Sequence, residues 1–176
     1  MRIISGKYKG KILKGDNIEG TRPTMDRVKE SLFGIIQNNI NKSICLDLFA
    51  GSGSLGIEAL SNGAKTCYFV DKNKIVIDVL NINTKGVDGV VIIKNDYLNA
   101  LKYFSDNKIK FDIIFLDPPY KLNLIKNSLT KIKEYDLLNK DGLIICEYEN
   151  EEFDIDYELK KEKKYGTKKI KIYKNS

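Results

Sequence analysis

Hydrophobic and polar positions along the chain alternate in blocks, and each block predicts one strand or one helix. Short apolar runs predict five strands, at residues 44–49, 66–70, 90–93, 111–116 and 143–146. The segments between them carry apolar residues at helical spacing and predict four helices, at residues 55–61, 74–83, 98–104 and 122–135. Strands that are apolar throughout are typical of a parallel sheet covered by helices on both faces.

The two ends of the chain follow a different pattern. Residues 2–5 and 11–14 predict a short β-hairpin whose turn lies around residues 7–10. Residues 157–163 and 168–173 are separated by a glycine turn and predict a second hairpin, which would close the sheet with antiparallel strands.

A further helix is predicted between the first hairpin and the first strand, with Thr24 as its N-cap. The predicted fold class is therefore α/β: a doubly wound, mostly parallel seven-stranded sheet with an antiparallel C-terminal hairpin and a small N-terminal β-hairpin extension. We expect a single domain, in which residues 1–22 form the basic extension and residues 23–176 form the main body.

Composition narrows the class of protein. The chain has 176 residues, 42% of them hydrophobic and 31% charged, which is typical of a soluble globular domain. It has neither an apolar run of membrane-spanning length nor the apolar core of a signal peptide, so we expect a cytoplasmic protein without a membrane partner. Cys45, Cys67 and Cys146 lie in apolar strand-like segments and are predicted to be buried, reduced thiols. Histidine is absent and no Cys-x-x-Cys pair occurs, so no metal site is predicted.

Charge is distributed unevenly along the chain. The net charge is +6, with five basic and no acidic residues among residues 1–14, and eight basic and one acidic among residues 160–176. The three arginines, Arg2, Arg22 and Arg27, all lie near the N-terminus, and arginine presents a planar fork to phosphate oxygens that lysine cannot copy. Basic ends either contact a polyanion such as RNA or are simply solvated, and charge alone leaves both hypotheses open.

A glycine-rich turn follows the first predicted strand. Gly51, Gly53 and Gly56 match the G-x-G-x-x-G pattern that binds NAD, FAD or S-adenosylmethionine at the carboxyl edge of a sheet. Asp47 precedes this turn, where a carboxylate would repel a pyrophosphate but attract the ammonium and sulfonium groups of S-adenosylmethionine. The residue before the turn therefore favours the cationic cofactor.

Two more acidic residues follow the next strands. Asp71 ends the second strand, where a carboxylate can bind both ribose hydroxyls, although dinucleotide enzymes share this feature. Asp96 follows the third strand, and it can serve either as a ligand of the adenine amino group or as a helix N-cap. The sequence leaves these two roles of Asp96 open.

The fourth predicted strand ends in Asp117, Pro118, Pro119 and Tyr120. Two prolines make a rigid exit from the strand, and the exit lies at the edge of the sheet where ligands bind. Asp117 and the Pro118 carbonyl are acceptors that could orient an exocyclic base amine, and Tyr120 offers a flat face for stacking a base. The motif therefore predicts methylation of a planar amine, without choosing between guanine and adenine.

At this point the chain resembles the bacterial 16S ribosomal RNA guanine-N2-methyltransferases, close to end to end. The resemblance is carried by residues 2–10, 21–30, 47–60, 117–120 and 165–168, of which the N-terminal segment is the most particular to the family. It implies a Rossmann-like methyltransferase fold, S-adenosylmethionine as cofactor, and methylation of one guanine N2 in small-subunit ribosomal RNA, on an assembly intermediate. One departure is Ser54, where the family pattern leads us to expect alanine.

The residue patterns and the resemblance together predict three sets of functional residues. The cofactor set is Asp47, Phe49, Gly51, Ser52, Gly53, Asp71, Lys72 and Asp96. The catalytic set that holds the base is Asp117, Pro118, Pro119 and Tyr120. The RNA-binding set is Arg2, Lys7, Lys9, Lys11, Arg22, Thr24 and Arg27, with Arg22 and Thr24 beside the active site. We expect a monomer, and the acidic residues 147–150 are assigned no role.

Three other functions compete with this one. A DNA adenine-N6-methyltransferase would use the same four-residue motif, but the chain has no room for an additional target-recognition domain. A nicotinamide-dependent oxidoreductase would use the glycine turn, but Asp47 and the Asp-Pro-Pro-Tyr motif argue against it. A catalytically idle RNA-binding chaperone would have the same basic ends, and only an activity assay distinguishes it.

Overall fold

The computed structural model describes residues 1–15, 22–119 and 123–176, with the backbone alone for residues 22–24. The helices are α1 (Arg22–Ile40), α2 (Ser54–Ser61), α3 (Lys74–Asn83), α4 (Tyr97–Asp106) and α5 (Leu124–Glu134). The strands are β1 (Ile44–Asp47), β2 (Thr66–Asp71), β3 (Val90–Lys94), β4 (Phe111–Leu116), β5 (Leu138–Tyr148), β6 (Glu158–Tyr165) and β7 (Lys168–Lys174).

The seven strands form one mixed sheet in the order β3-β2-β1-β4-β5-β7-β6. Strands β1 to β5 run parallel, whereas β7 pairs antiparallel with β5, and β6 antiparallel with β7. The chain moves outward from β1 to β3 and then crosses back to β4, which lies on the other side of β1. The predicted fold class is confirmed, and the reversal between β1 and β4 is the place where doubly wound sheets bind ligands.

The sheet separates two hydrophobic cores. On one face, Ile113 and Phe115 of β4 pack with residues of α1, α2, α3 and the N-terminal segment. On the other face, Ile114 and Leu116 of the same strand pack with residues of α4 and α5. Residues 113–116 of β4 therefore enter the two cores alternately, which explains why this part of the strand is apolar throughout.

The predicted N-terminal hairpin is present within residues 1–15, where Arg2 and Ile12 form one antiparallel bridge. Its apolar side chains Ile3 and Leu13 are buried in the same core as α1 and α2. The hairpin thus shares its core with the main body of the protein.

The start of α1 differs from the prediction. The helix begins at Arg22, so Thr24 lies in its first turn and the prediction that Thr24 is the N-cap is wrong. Pro23 is compatible with this start, because the first turn of a helix does not use the backbone N–H that proline lacks.

The start of β5 also differs from the prediction. The strand begins at Leu138 instead of residue 143, because Leu138 pairs with Phe111 of β4 ahead of a register shift. The polar residues 139–141 interrupt the apolar pattern and conceal this first part of the strand from a sequence-based prediction.

The three cysteines are free and buried, as predicted. Burial raises the pKa of Cys45 to about 12, and it also raises the pKa of Cys67 and Cys146. These thiols are therefore inert side chains of the core. Within the part of the chain that the structure describes, no helix is both long and apolar enough to cross a bilayer.

Candidate active site

A cleft of about 840 Å³ opens at the carboxyl ends of β1 and β4. Nine of the predicted site residues line it: Asp47, Phe49, Gly51, Ser52, Asp71, Lys72, Asp96, Asp117 and Pro119. Gly53 and Pro118 are buried next to the cleft without lining it, and Tyr120 lies outside the described residues. The structure therefore brings predicted cofactor-binding and base-binding residues to the same cleft.

The glycines of the turn have different surroundings. A Cβ atom on Gly56 would lie 2.3 Å from Cε1 of Phe69, and one on Gly53 would lie 2.8 Å from Cδ2 of Leu80. A Cβ atom on Gly51 would meet nothing within 4 Å, and Gly51 has a φ of +54° that side chains rarely adopt. Gly53 and Gly56 thus allow close packing against the core, whereas Gly51 keeps space open on the side of the cleft.

Asp47 is the most buried carboxylate of the cleft. It is the last residue of β1, its exposed fraction is 1%, and its Oδ2 accepts a hydrogen bond of 3.1 Å from the Gly56 N–H. Burial raises the pKa of Asp47 to about 7; the Gly56 hydrogen bond opposes this rise, and the negative charge of Asp71 adds to it. A cationic ligand group would stabilise the charged form, so this end of the cleft suits a positively charged ligand.

Asp71 and Asp96 lie at the ends of the next two strands. Asp71 accepts hydrogen bonds from the backbone N–H of Gly51 at 3.3 Å and of Asn73 at 3.0 Å. Asp96 is the N-cap of α4, because its Oδ1 accepts a bond of 2.9 Å from the Leu98 N–H. Since Asp96 also lines the cleft, its capping role is compatible with a ligand contact.

An aromatic pair forms another part of the cleft wall. The rings of Phe49 and Tyr97 have centroids 5.3 Å apart and planes inclined by 41°. Tyr97 is not among the predicted residues, because no local pattern shows that the first residue of α4 will meet the loop after β1. Lys72, which follows Asp71, is exposed at the same cleft.

The Asp-Pro-Pro segment leaves β4 directly at the cleft. Asp117 is half-buried and Pro119 is exposed, and both line the cleft. Pro118 is buried and, with Pro119, lines a second groove of about 490 Å³ on the other side of the segment. Pro119 thus borders both the cleft and this groove, as do Glu147 and Glu149.

The wall beside Asp117 comes from the acidic end of β5 and the turn between β6 and β7. Glu147 and Glu149 line the cleft together with residues 165–168 of that turn. Oε1 of Glu147 lies 2.8 Å from Nζ of Lys168, and Thr167 donates a hydrogen bond of 3.3 Å to Glu149. These residues were missed as site residues, because β7 reaches β5 only through an antiparallel pairing that is remote in sequence. Among the described residues, no group of three or more acidic or thiol side chains is placed to hold a metal ion.

A buried ion pair contacts Ser54, the residue that follows Gly53 in the glycine turn. Nζ of Lys29 in α1 lies 3.0 Å from Oε2 of Glu58 in α2, and it also donates to Oγ of Ser54 at 3.0 Å and to the Arg2 carbonyl at 2.7 Å. Glu58 in turn accepts hydrogen bonds from the backbone of Ile4 and Ser5 in the N-terminal hairpin. The network therefore joins α1, α2 and the hairpin, and Ser54 contributes a contact that the expected alanine could not make.

Five of the predicted RNA-binding residues, Arg2, Lys7, Lys9, Lys11 and Arg27, have described side chains, and none of these five lines the cleft. Arg2 contacts Asp26 at 3.3 Å and Lys7 contacts Asp88 at 3.1 Å. Lys11 donates to the Lys85 carbonyl at 3.1 Å, whereas Lys9 and Arg27 are exposed. The side chains of Arg22 and Thr24 lie outside the described part of the chain.

Residues 1–174 match the model of the family described as Conserved hypothetical protein 95. The chain belongs to this family. One relative is the Ribosomal RNA small subunit methyltransferase D of Haemophilus influenzae. It is 39% identical to this chain, and the match covers 99% of this chain and 94% of the relative. The chain is therefore a methyltransferase.

Solved structures of methyltransferases have the same fold as this chain. The structure of yhhF from Escherichia coli is 28% identical, covers 100% of this chain and 98% of its own, and has a TM-score of 0.84. An RNA methyltransferase from Salinibacter ruber, solved in complex with S-adenosylhomocysteine, has a TM-score of 0.63 at 15% identity, and covers 85% of this chain and 90% of its own. The second likeness concerns the fold alone.

Proposed function

We propose that the chain transfers the methyl group of S-adenosylmethionine to the exocyclic N2 amine of a guanine in small-subunit ribosomal RNA. The observation that carries this proposal is the single cleft in which Asp47 and the open glycine turn lie beside Asp117 and Pro119. The name of the Haemophilus influenzae relative supports the choice of ribosomal RNA as the substrate.

The residues of the cleft fit S-adenosylmethionine. Gly51 leaves room for a ligand against the backbone, and the buried carboxylate of Asp47 complements the ammonium group of the methionyl end. Asp71 and Asp96 line the same cleft. Asp71 would accept hydrogen bonds from the ribose hydroxyls, and Asp96 would accept one from the adenine amine. When bound, the cofactor supplies a methyl group on a sulfonium, which is a good leaving group.

The chain's own contribution to chemistry is to hold and orient the target amine. A base amine is a poor nucleophile because its lone pair is delocalised into the ring. The Asp117 carboxylate and the Pro118 carbonyl would each accept one amine hydrogen and so direct the nitrogen lone pair towards the methyl group. Positioning of this kind and charge complementarity can supply most of the rate enhancement. Tyr120 would stack on the base.

The RNA would approach over the N-terminal hairpin and the start of α1. Arg2, Lys7, Lys9, Lys11 and Arg27 would contact phosphates, and Arg22 and Thr24 would border the cleft. The Arg2–Asp26 and Lys7–Asp88 pairs are weak, because exposed ion pairs contribute little in water, so phosphates can replace these two acidic partners. We propose that the protein acts as a cytoplasmic monomer on an assembly intermediate of the small subunit.

The proposal is tested with purified protein, unmodified small-subunit RNA or subunits, and methyl-labelled S-adenosylmethionine. Labelled N2-methylguanosine is the expected product after digestion. Asp117→Ala should lower the rate at least about 100-fold and retain binding of S-adenosylhomocysteine in calorimetry. Labelled N6-methyladenine would contradict the guanine target, labelling of DNA but not RNA would favour a DNA enzyme, and binding of NAD alone would overturn the cofactor.

A further inference from the structure

The Asp-Pro-Pro motif alone does not explain why a guanine would be chosen over an adenine, since both bases carry an exocyclic amine. The two bases differ at the ring nitrogen next to that amine. In guanine this nitrogen, N1, carries a hydrogen and donates, whereas in adenine N1 has a lone pair and accepts. We propose that the carboxylate of Glu147 accepts a hydrogen bond from guanine N1–H and so selects guanine. This inference rests on the proposed function.

The sheet places Glu147 next to Asp117. β4 and β5 are parallel neighbours, and Leu116 is the register partner of Cys146. Asp117 and Glu147 are the residues that follow these two partners, and both line the cleft. Since neighbouring strands lie about 4.8 Å apart, two acceptors at these positions can reach neighbouring donors of one base edge.

The strand also determines where the Glu147 side chain is directed. Leu143 and Ile145 enter the core that contains α1, while Ile144 and Cys146 enter the opposite core. By this alternation Glu147 lies on the α1 side, above Ile145, where the cleft opens. Glu147 is 9% exposed, so its carboxylate has little access to bulk water.

Lys168 makes a carboxylate possible at this buried position. Its Nζ lies 2.8 Å from Oε1 of Glu147, and the two side chains are 29% and 11% exposed. The paired lysine balances the negative charge and fixes the carboxylate of Glu147. The ion pair involves Oε1, which is one of the two carboxylate oxygens. Because Glu147 is buried, a base without an N1–H group would leave this carboxylate with neither a donor from the base nor a hydrogen bond to water. Binding of such a base is therefore unfavourable.

Selection of guanine over adenine would follow from the different groups that the two bases carry at N1. Guanine presents adjacent N2 and N1 donors to the acceptors at Asp117 and Glu147. Adenine would place its N1 lone pair against the carboxylate, which is repulsive. Sites built to bind an N–H group discriminate strongly against an analogue that lacks it, by roughly four orders of magnitude in favourable cases.

The test uses 2-aminopurine, which keeps the amine at position 2 but has a lone pair at N1. RNA substrates carry either guanine or 2-aminopurine at the position that the wild-type protein methylates, and kcat/KM is compared. We expect the wild-type protein to prefer guanine at least about 100-fold. Glu147→Gln should reduce this ratio to below about tenfold, because the glutamine amide can donate to the N1 lone pair.

Glu152→Gln is the matched control, since Glu152 lies in the same acidic segment but lines only the second groove. It should keep the wild-type ratio, and binding of S-adenosylhomocysteine should remain in both variants. An unchanged ratio in Glu147→Gln overturns the inference. Equal use of the two bases by the wild-type protein also overturns it, and this result needs no variant to fold. Both results leave the proposed function standing, whereas absence of guanine methylation overturns both.

Discussion

Asp47 shows how a single residue connects the fold to ligand binding. Its carboxylate is 1% exposed and receives one backbone hydrogen bond, from Gly56. Burial raises the pKa of Asp47 from 3.8 to about 7, so the ligand-free protein loses stability as the pH rises between these values and carries the full cost of the buried charge above pH 7. A charge that is unfavourable for folding is explained if a cationic ligand compensates for it.

Asp47→Asn tests this conflict between stability and binding. Asparagine keeps an acceptor for the Gly56 N–H but removes the buried charge, so the melting temperature at pH 8 should not fall. Binding of S-adenosylhomocysteine should weaken at least about tenfold, because its ammonium loses an ion partner. Calorimetry and a thermal melt measure the two effects, and a variant that binds as tightly as the wild type contradicts the assignment.

The pH dependence of cofactor binding provides a second test at the same residue. A ligand ammonium favours the ionised carboxylate, so binding requires proton release from Asp47 when the pH is below its raised pKa. The Kd of S-adenosylhomocysteine should rise as the pH falls from 8 to 6, by at most about tenfold per pH unit below the raised pKa. Asp47→Asn should abolish this rise. A wild-type Kd that does not change between pH 6 and 8 would be inconsistent with the raised pKa.

Several residues that line the cleft could be predicted, because the signals that place them there are local in sequence. Asp47 and Gly51 could be predicted from a glycine turn after a strand, and Asp117 from prolines after another strand. Tyr97 and Glu147 could not be predicted in this way. Each lines the cleft only because α4 or β5 packs beside β1 and β4, and a local pattern holds no information about such contacts.

At the scale of elements, α2 connects the cofactor end of the cleft to the rest of the fold. Its N-cap is Gly53, and Gly56 in its first turn lies against Phe69 of β2. Its residue Glu58 binds Lys29 of α1 in the buried network. The position of the glycine turn therefore depends on packing against β2 and on the link to α1.

Alanine at two glycines should separate packing from binding. Gly56→Ala places a methyl 2.3 Å from Phe69 and should lower the free energy of unfolding by about 1–3 kcal/mol. Gly51→Ala meets no neighbour within 4 Å, so its stability should fall by only about 1–2 kcal/mol from the positive φ. Its methyl lies on the side of the cleft, and Gly51→Ala should therefore lose S-adenosylhomocysteine binding in calorimetry. Full binding by folded Gly51→Ala would show that the ligand does not approach this backbone.

The link between α1 and α2 is tested by Lys29→Met. Removing one partner of a buried ion pair leaves an uncompensated charge on Glu58, and should lower the free energy of unfolding by about 3–5 kcal/mol. Lys74→Met is the control, because the Lys74–Asp78 pair is exposed and its loss should change stability by less than about 1 kcal/mol. Denaturant titrations measure both variants, and equal losses would show that the buried pair does not join the helices.

Elements with continuous patterns were predicted more accurately than those interrupted by polar residues. β4 and α3 have the predicted bounds, since their apolar residues form unbroken patterns. The beginning of β5 was concealed by residues 139–141, and the beginning of α1 by a threonine that resembles an N-cap. For β5, pairing with β4 outweighed the polar residues. For α1, the proline in the first turn outweighed the apparent N-cap threonine.

At the scale of the whole molecule, one sheet edge brings together three segments that are separate in the chain. The cleft there is lined by the glycine turn after β1, by Asp117 and Pro119 after β4, and by the end of β5 with the β6–β7 turn. In the proposed function the first segment would bind the cofactor and the second would hold the amine. The basic N-terminal hairpin is anchored to α2 through Glu58, so the expected RNA-binding surface and the cofactor turn form one connected unit.

Methylation of guanine N2 in small-subunit ribosomal RNA is tested most directly by nucleoside analysis of that RNA from cells with and without this protein. One N2-methylguanosine should disappear when the protein is absent, return with the wild-type chain, and not return with Asp117→Ala. An unchanged content of N2-methylguanosine in cells that lack the protein would show that the chain does not methylate guanine N2 in this RNA.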